Sequence, residues 1–373
     1  MSYLGVTRAP EDFDAEPGQS LNDLLNAGRR SLERLIENNV FDHGVEAQYF
    51  IYRLSIDDHQ QTGLVCGVTV ADYDDSQVRV HEQVKVDRVD HLANHLSVVG
   101  AQSSPIALAS RDQNGTVAEL IRKSCVHEPT LDIITLDGLH QQVWRVTDPD
   151  LSRQLTKAVS AEPLYLIDGH HRAAAAAQHL HGSEVDGTDR PGDQWMLSTV
   201  FPANEMRNMA FHRVVTVTSP ITLINELQSR FDLRPASSLP EVVNRDDDVM
   251  AVGCLDSHGR MSWFLLHLPT PNDDLNVVKK LDQSRLADEV LGPLLEIDEA
   301  NPDGRLRYLP GLADEESLDH LHIAIEEVIF VMSPVTMDQL VQASDEGLVM
   351  PPKSTYFEPK VRSGLFVHFK ERV

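Results

Sequence analysis

Residues 163–177, with the sequence PLYLIDGHHRAAAAA, decide the fold of the first half of this chain. Residues 163–167 form a short apolar run, which favours a buried strand, and the alanine-rich residues 172–181 predict a helix. Gly169 permits a tight turn between the two elements and a close approach of another molecule to the backbone. The order strand, turn, helix therefore places a group of polar residues at the N-terminus of a helix.

The five residues Asp168-Gly169-His170-His171-Arg172 favour a site for an anion. The first-turn amides of a helix have no partner within the helix and together carry about half a unit of positive charge. Arg172 offers a fork of donors that matches phosphate oxygens. His170 and His171 add donors, or acid–base capacity near neutral pH. The sequence therefore predicts a phosphate site of the kind that holds a nucleotide.

Two other interpretations of this motif stay open. A tight strand-to-helix turn could use its histidines only to cap backbone groups, although burying four polar residues costs free energy unless they have partners. Asp168, His170 and His171 are also competent metal ligands. No HExxH pattern elsewhere in the sequence completes a metal shell.

The composition of the chain limits the class of protein. Its 373 residues are 41% hydrophobic, which is enough for two packed units. The formal charge of −26 repels nucleic-acid phosphates, so we expect no nucleic-acid partner. No apolar run is long enough to span a bilayer, and the N-terminus lacks the pattern of a secretory signal. With three widely separated cysteines and no CxxC, these features predict a cytoplasmic protein without a membrane partner.

Hydrophobic periodicity along the chain predicts alternating strands and helices, and hence a mixed α/β fold. We expect an N-terminal leader and helix over residues 1–47, a domain over residues 48–215 that contains the motif, and a C-terminal α/β domain over residues 216–373. Within these ranges, residues 1–18 are interpreted as a polar leader, Asp246-Asp247-Asp248 as a solvated loop and residues 356–369 as strand.

Three further sets of polar residues are candidates for the site: His81 and Glu82; Lys353, Thr355 and Lys360; and His212 and Arg213. The first pair could supply a catalytic base with an orienting neighbour, or form a solvated turn. The second set lies in the loop PPKSTYFEPK, and only eight lysines occur in the chain. These lysines could neutralise a phosphoryl group, or belong to an exposed connector. The third pair could complete the pocket or lie at a strand edge.

From about residue 48 to the C-terminus, the sequence resembles the family known as domain of unknown function 1015. The resemblance is carried by Ala71-Asp72-Tyr73, His81-Glu82, Ser104-Pro105-Ile106, residues 166–172, residues 211–215 and residues 350–360. The N-terminal stretch that is usual in the family, with a PYDV element, has no counterpart in this sequence. The resemblance therefore implies a shortened N-terminus.

The middle of the chain is also similar to the superfamily of chromosome-partitioning ParB proteins and sulfiredoxin. In that superfamily a strand, a Gly-x-[His/Arg]-Arg turn and a helix hold nucleotide phosphates, and Gly169, His171 and Arg172 match the turn. The free-serine kinases of the superfamily look closest, since they have a His-Glu pair, a Pro-Ile strand and then DGHHR. This chain has His81-Glu82, Pro105-Ile106 and the pentapeptide in the same order. It departs from sulfiredoxin, which has a cysteine in place of His170, and from the partitioning proteins, because no helix-turn-helix follows.

The resemblance implies a nucleotide-dependent phosphotransferase that acts on a small hydroxyl metabolite, with free serine as one option and ATP or ADP as the nucleotide. Its catalytic residues would be Glu82 as the base, His81 and His170. The phosphates would be bound by residues 168–172 with Lys353, Thr355 and Lys360, and Asp168 would hold Mg²⁺. A nucleotide-binding regulatory module without transfer chemistry and a metal-dependent hydrolase are the alternatives. The oligomeric state stays open, with a homo-oligomer among the options.

Overall fold

The computed structural model describes Val6 and residues 21–41, 47–243, 249–299, 302–311 and 314–370. The interpretations of residues 1–18, apart from Val6, and of Asp246–Asp248 lie outside this part of the chain. The described residues form a mixed α/β fold, which confirms the predicted fold class. The chain divides into two compact units: unit 1 comprises residues 1–80, 84–206 and 359–373, and unit 2 comprises residues 81–83 and 207–358.

Unit 1 contains both strands and helices. Its strands are β1 (Tyr49–Ile56), β2 (His59–Thr69), β3 (Val78–Arg79), β4 (Ala101–Gln102), β5 (Ile106–Ser110), β6 (Leu131–Ile134), β7 (His140–Val146), β8 (Leu164–Asp168), β9 (Trp195–Pro202) and, near the C-terminus, β17 (His368–Phe369). Its helices are α1 (Leu21–Glu37), α2 (Val70–Asp74), α3 (Val86–Val99), α4 (Thr116–Ser124), α5 (Pro149–Val159) and α6 (His170–Asp186).

Eight of these strands form one sheet in the order β3-β8-β5-β9-β2-β1-β7-β6, and β17 pairs with β4. Helix α6 packs on one end of the sheet through Ala173, Ala176 and Ala177, which share a core with Leu108 and Leu166. Helices α4 and α5 cover β1, β2 and β7 through a second apolar cluster. Small alanine side chains allow α6 to lie close to the sheet, and this fixes the position of its N-terminus.

Residues 359–370 return to unit 1 and lie against its sheet. The Gln61 side-chain amide donates to the Pro359 carbonyl, and the Phe366 ring packs on Tyr52 at a centroid distance of 5.4 Å. At the end of the segment, the buried Lys370 ammonium lies 2.9 Å from the Asp193 carboxylate. This segment was predicted as part of a strand over residues 356–369, and that prediction is wrong for most of its length. Pro359 lacks an amide proton for a ladder, and Gly364 has a φ of 82°, which a strand does not accept.

Unit 2 contains strands β10 (Asn208–Thr216), β11 (Asp232–Pro235), β12 (Val249–Leu255), β13 (Met261–His267), β14 (Leu306–Gly311), β15 (Glu327–Val331) and β16 (Tyr356–Phe357). Its helices are α7 (Pro220–Arg230), α8 (Leu239–Val243), α9 (Val277–Lys280), α10 (Asp282–Leu286), α11 (Gly292–Leu295), α12 (Glu315–Asp319) and α13 (Met337–Asp345). The strands form an antiparallel sheet in the order β11-β13-β12-β15-β10-β14, with β16 on β10.

The sheet of unit 2 has an apolar core on each face. Helix α7 and the continuous helical run from α10 to α11 cover one face, where Leu227, Val290 and Phe330 are buried. Val242 and Leu318, from α8 and α12, pack on the other face. Strand β10 lies inside this sheet, between β15 and β14, and the long segment of unit 2 therefore begins at Arg207. The sequence placed the division after residue 215 because it treated residues 211–215 as the end of a domain.

Two general predictions concern cysteines and membranes. Cys66, Cys125 and Cys254 are all free thiols. Burial raises the pKa of the Cys66 thiol to about 12, which keeps it protonated and unreactive near neutral pH. Among the described residues, no helix combines the length and the apolar character that crossing a bilayer demands.

Candidate phosphate site

The predicted strand, turn and helix are present, and the turn is a single residue long. Strand β8 ends at Asp168, α6 begins at His170, and Gly169 between them has a φ of 99°. This backbone conformation is in the region that favours glycine, as the sequence predicted. Helix α6 is longer at both ends than the predicted residues 172–181, so both histidines of the motif belong to its first turn.

The carboxylate of Asp168 lies between two cations. The Arg172 guanidinium pairs with its Oδ2 atom, and the Lys360 ammonium lies 3.0 Å from its Oδ1 atom. Arg172 also donates to the Ser104 carbonyl at 2.9 Å and to the Pro105 carbonyl, which attaches the start of β5 to the turn. Burial lowers the pKa of the Arg172 guanidinium, and the Asp168 carboxylate opposes this effect.

Lys360 is the more exposed of the two cations. Its side chain is 44% exposed, whereas that of Arg172 is 29% exposed and donates mainly to backbone carbonyls and to Asp168. The sequence predicted that the Arg172 fork binds phosphate. In the described conformation that fork contacts protein groups, so the ammonium of Lys360 is the cation better placed to meet a ligand from solvent.

The two histidines of the motif have different surroundings. His170 is buried, with 4% of its surface exposed. The Nε2 atom of His171 accepts a hydrogen bond from the Lys85 amide at 3.1 Å, so this nitrogen has no proton of its own in the described arrangement. Lys85 precedes the first residue of α3, and His171 therefore fixes the start of that helix. This is the backbone-capping role that the sequence left open for a histidine of the motif.

Asp168 does not fit the predicted role of a Mg²⁺ ligand in this conformation. Each of its carboxylate oxygens faces a cationic side chain, and a divalent ion would have to displace one of them or lie close to both. Within the part of the chain that the structure describes, no three His, Cys, Asp or Glu side chains are grouped so that they could hold a metal ion. The pairing instead makes Asp168 a residue that positions Lys360 and Arg172.

Unit 2 brings a second set of predicted residues together. The Nε2 atom of buried His81 lies 3.2 Å from the Thr355 hydroxyl, and the His81 carbonyl accepts a hydrogen bond from the Met350 amide at 2.8 Å. These contacts fix the residue that precedes Glu82 against the loop of residues 350–355. His81 is therefore part of a structured contact, although the sequence also allowed a solvated turn.

The remaining predicted residues of unit 2 divide into one exposed and two buried side chains. Lys353 is exposed, and its ammonium lies 5.2 Å from the centroid of the Phe211 ring. His212 is buried, and its Nδ1 atom accepts a hydrogen bond from the Met332 amide at 3.2 Å. Arg213 is also buried. Neither His212 nor Arg213 lies at an exposed strand edge, the alternative that the sequence left open.

The predicted site residues thus form two groups, each inside one unit. Asp168, Gly169, His170, His171, Arg172 and Lys360 belong to unit 1, and His81, Glu82, Lys353, Thr355, His212 and Arg213 belong to unit 2. Sequence reasoning missed Lys85, Ser104 and Glu299, which contact His171, Arg172 and Arg213. Lys85 and Ser104 make these contacts with backbone atoms, so the identity of the residue gives no indication of them. The catalytic and binding roles of all these residues stay predictions.

No curated protein matches the sequence. Solved structures with some similarity include a free serine kinase in complex with AMP, which is 11% identical, with 79% of this chain and 86% of that chain covered and a TM-score of 0.38. Another is SbnI with a C-terminal truncation from Staphylococcus aureus, which is 10% identical, with 80% of this chain and 85% of that chain covered and a TM-score of 0.40. A conserved hypothetical protein from Pyrococcus furiosus is 13% identical, with 80% and 93% coverage and a TM-score of 0.36. Such distant likenesses assign neither a reaction nor a ligand.

The model of one protein family, "Protein of unknown function (DUF1015)", matches residues 1–284. This range contains the DGHHR turn and His81-Glu82. It includes residues 1–47, which lie before the predicted start of the resemblance, and it ends before the loop of residues 350–360, which the resemblance included. Because the match covers well over half of the 373 residues, the chain belongs to the DUF1015 family of proteins of unknown function.

Proposed function

We propose that this protein is a nucleotide-dependent phosphotransferase that acts on a small hydroxyl metabolite, with free serine as the first substrate to test. The observation that supports it best is the turn at Gly169. There a strand end, the N-terminus of a 17-residue helix and the exposed Lys360 ammonium lie around one carboxylate. This combination offers backbone donors, a helix dipole and an exposed cation to the phosphates of a nucleotide.

The anion site proposed at α6 follows from charge as well as from geometry. The chain is strongly acidic overall, so a nucleotide needs a locally positive surface to bind. At the Gly169 turn, two cations face one carboxylate, which leaves one positive charge in addition to the helix dipole. ATP or ADP is the proposed ligand, with the phosphate chain at the first turn of α6.

In the proposed reaction Glu82 is the general base. The substrate hydroxyl oxygen attacks the terminal phosphorus of the nucleotide, the bond from phosphorus to the bridging oxygen breaks, and the hydroxyl proton goes to the Glu82 carboxylate. Lys353 contacts the Phe211 ring and Thr355 contacts His81, and in the proposed reaction these two residues stabilise the transferring group by charge and by hydrogen bonding. No step is assigned to a metal ion held by Asp168, because the residues there do not fit one.

The direct test uses the purified protein with ATP or ADP, Mg²⁺ and a panel of small hydroxyl metabolites that includes serine. We expect a phosphorylated metabolite and an equal amount of nucleotide product, detected by ³¹P NMR and mass spectrometry. Calorimetry with each nucleotide alone separates binding from turnover. Tight binding without turnover for any acceptor would support the regulatory module instead, and the absence of both binding and turnover would exclude the phosphotransferase.

Replacing Lys360 by methionine is expected to weaken nucleotide binding roughly fivefold. An exposed charge pair contributes about 1 kcal/mol, and 1.4 kcal/mol corresponds to a tenfold change in Kd. Calorimetry on the variant measures the effect. The control is Lys123→Met on α4, a similarly exposed lysine of unit 1 that pairs with Glu119. Equal affinities for the Lys360 variant and the wild type would remove Lys360 from the proposed site.

The Asp168→Asn variant tests whether this residue binds a metal ion. Because both of its oxygens pair with cationic side chains, we expect the Mg²⁺ concentration that gives half-maximal activity to stay within about twofold of the wild-type value. Loss of a metal ligand or of its supporting partner typically weakens metal binding by roughly 10- to 100-fold. A Mg²⁺ titration of the activity at saturating nucleotide measures this, and a shift of that size would restore Asp168 as a metal ligand.

A further inference from the structure

Arg213 lies in the middle of β10, and its side chain is completely buried. It forms an ion pair with Glu299, whose side chain is 6% exposed; the distance from Arg213 Nε to Glu299 Oε1 is 2.8 Å. A buried ion pair is weak evidence for stability, because removing two charges from water costs as much as their attraction returns. The other contacts of Arg213 indicate what its guanidinium does at this position.

The Arg213 guanidinium donates four hydrogen bonds, one of them to Glu299. Beside the bond from Nε to Glu299, Nη1 donates to the carbonyls of Phe211 at 2.6 Å and Lys353 at 3.1 Å, and Nη2 donates to the Pro352 carbonyl at 2.9 Å. Two of these carbonyls belong to consecutive residues of the loop 350–355. Two donors of the planar guanidinium therefore bind consecutive carbonyls of that loop, an arrangement that lysine could not reproduce.

The fork holds Lys353 in a backbone conformation that a non-glycine residue seldom adopts. The φ of Lys353 is 55°, in the left-handed region, and such a residue persists only where its surroundings impose the conformation. With the carbonyls of Pro352 and Lys353 turned toward Arg213, the Lys353 side chain points outward, and its ammonium lies near the Phe211 ring. Two residues later, the Thr355 hydroxyl meets His81.

We infer that Arg213 is a positioning residue, which orients the 350–355 loop so that Lys353 and Thr355 meet the phosphoryl group of a nucleotide. The inference rests on the proposed phosphotransferase function and gives that function a second determinant, located in the core of unit 2. Arg213 itself does not touch the ligand. Sequence reasoning gave Arg213 a place in the pocket, whereas the buried fork acts through the loop.

The test compares Arg213→Lys with Arg307→Lys. Arg307 also pairs with a glutamate of unit 2, through two 2.8 Å contacts to Glu327, but it is half-exposed and both of these contacts lie outside the loop. We expect Arg213→Lys to accelerate hydrogen exchange at residues 353–355 and to lower kcat roughly 100-fold, with a smaller change in the KM for nucleotide. Arg307→Lys is expected to change neither quantity. Unchanged loop exchange and kcat in Arg213→Lys would overturn the inference.

Two further variants separate positioning from general stability. If Arg213 acts through Lys353, Lys353→Met should lower kcat much less in the Arg213→Lys background than in the wild type, and additive effects would contradict the inference. Glu299→Gln leaves the contacts of Arg213 with the loop carbonyls, so kcat should stay within about threefold of the wild-type value. If Glu299→Gln and Arg213→Lys lower kcat equally, Arg213 acts only as the partner of Glu299 in a structural ion pair, and the inference is wrong.

Failure of the inference and failure of the proposed function give different results. If the wild type neither binds nor turns over a nucleotide, the phosphotransferase proposal fails, and the inference about phosphoryl positioning fails with it. Exchange at residues 353–355 would then still report whether Arg213 orders the loop. If the wild type is active and Arg213→Lys is equally active, the inference alone fails.

Discussion

Glu82→Gln is expected to lower the turnover of the phosphotransferase by roughly 10²–10⁴-fold, while nucleotide binding stays at the wild-type level. Glutamine has the shape of glutamate but cannot accept the hydroxyl proton, so the loss falls on kcat and not on the Kd for nucleotide. His81 is held by Thr355 and by the Met350 amide, and the backbone that leads to residue 82 therefore keeps its position in the variant. Steady-state kinetics and calorimetry on the same preparation measure the two quantities.

Two variants make this expectation specific. Gln83→Ala changes the exposed neighbour in the same short segment and is expected to leave kcat unchanged. Glu82→Asp retains the carboxylate on a shorter side chain, so it should recover part of the activity that Glu82→Gln loses. Full activity of Glu82→Gln would show that Glu82 is not the general base. A parallel loss of nucleotide binding and turnover would instead identify Glu82 as a binding or structural residue.

Local sequence was sufficient to predict the centre of the fold. Residues 163–181 contain an apolar run, a glycine and an alanine run in immediate succession, and no distant contact is needed to interpret them. The prediction for these residues differs from the structure only in where the helix begins and ends. Helix α6 passes through Gly182 and continues to Asp186, because a glycine inside a long helix costs only about 1 kcal/mol, which packing elsewhere in the helix offsets.

Elements that depend on distant partners were predicted less well. Strand β14 was missed, since Leu306–Gly311 contains arginine, proline and glycine and becomes a strand by pairing with β10. The loop of residues 351–360 was treated as one element, yet Lys353 and Thr355 belong to unit 2 and Lys360 to unit 1. The chain changes unit at Pro359, and no local pattern marks a return to a sheet formed by residues hundreds of positions earlier.

The same distinction applies to the candidate site. The residue types alone identified Asp168, His171 and Arg172 as candidates. Only the structure shows that Lys360 pairs with Asp168 and that the Lys85 amide donates to His171. These contacts join residues that are far apart in sequence, and a single sequence has no signal for such pairs. They also change the interpretation of the motif, because His171 and Arg172 contact backbone groups of unit 1 and so help to shape the turn itself.

Gly169→Ala is expected to destabilise unit 1 and to weaken nucleotide binding together. The φ of 99° is strained for any residue with a Cβ atom, at a cost of about 1–3 kcal/mol in the free energy of unfolding. The added Cβ atom would also lie 2.9 Å from Arg172 Nη2 and 3.0 Å from Ile106 Cγ2, so the guanidinium beside Asp168 must move. Because the displaced guanidinium lies at the proposed phosphate site, we also expect nucleotide affinity to fall roughly tenfold, which corresponds to about 1.4 kcal/mol of binding free energy.

The matched control for Gly169→Ala is Gly182→Ala in the same helix. Gly182 has no heavy atom within 4 Å of an added Cβ, and it lies inside α6, where alanine is favoured over glycine by roughly 0.5–1 kcal/mol. We therefore expect Gly182→Ala to raise the melting temperature slightly and to leave nucleotide affinity unchanged. The two variants make the same chemical change with opposite expected signs for stability. If both melt alike and bind alike, the backbone at residue 169 is not what holds the phosphate site, and the proposal for this turn is wrong.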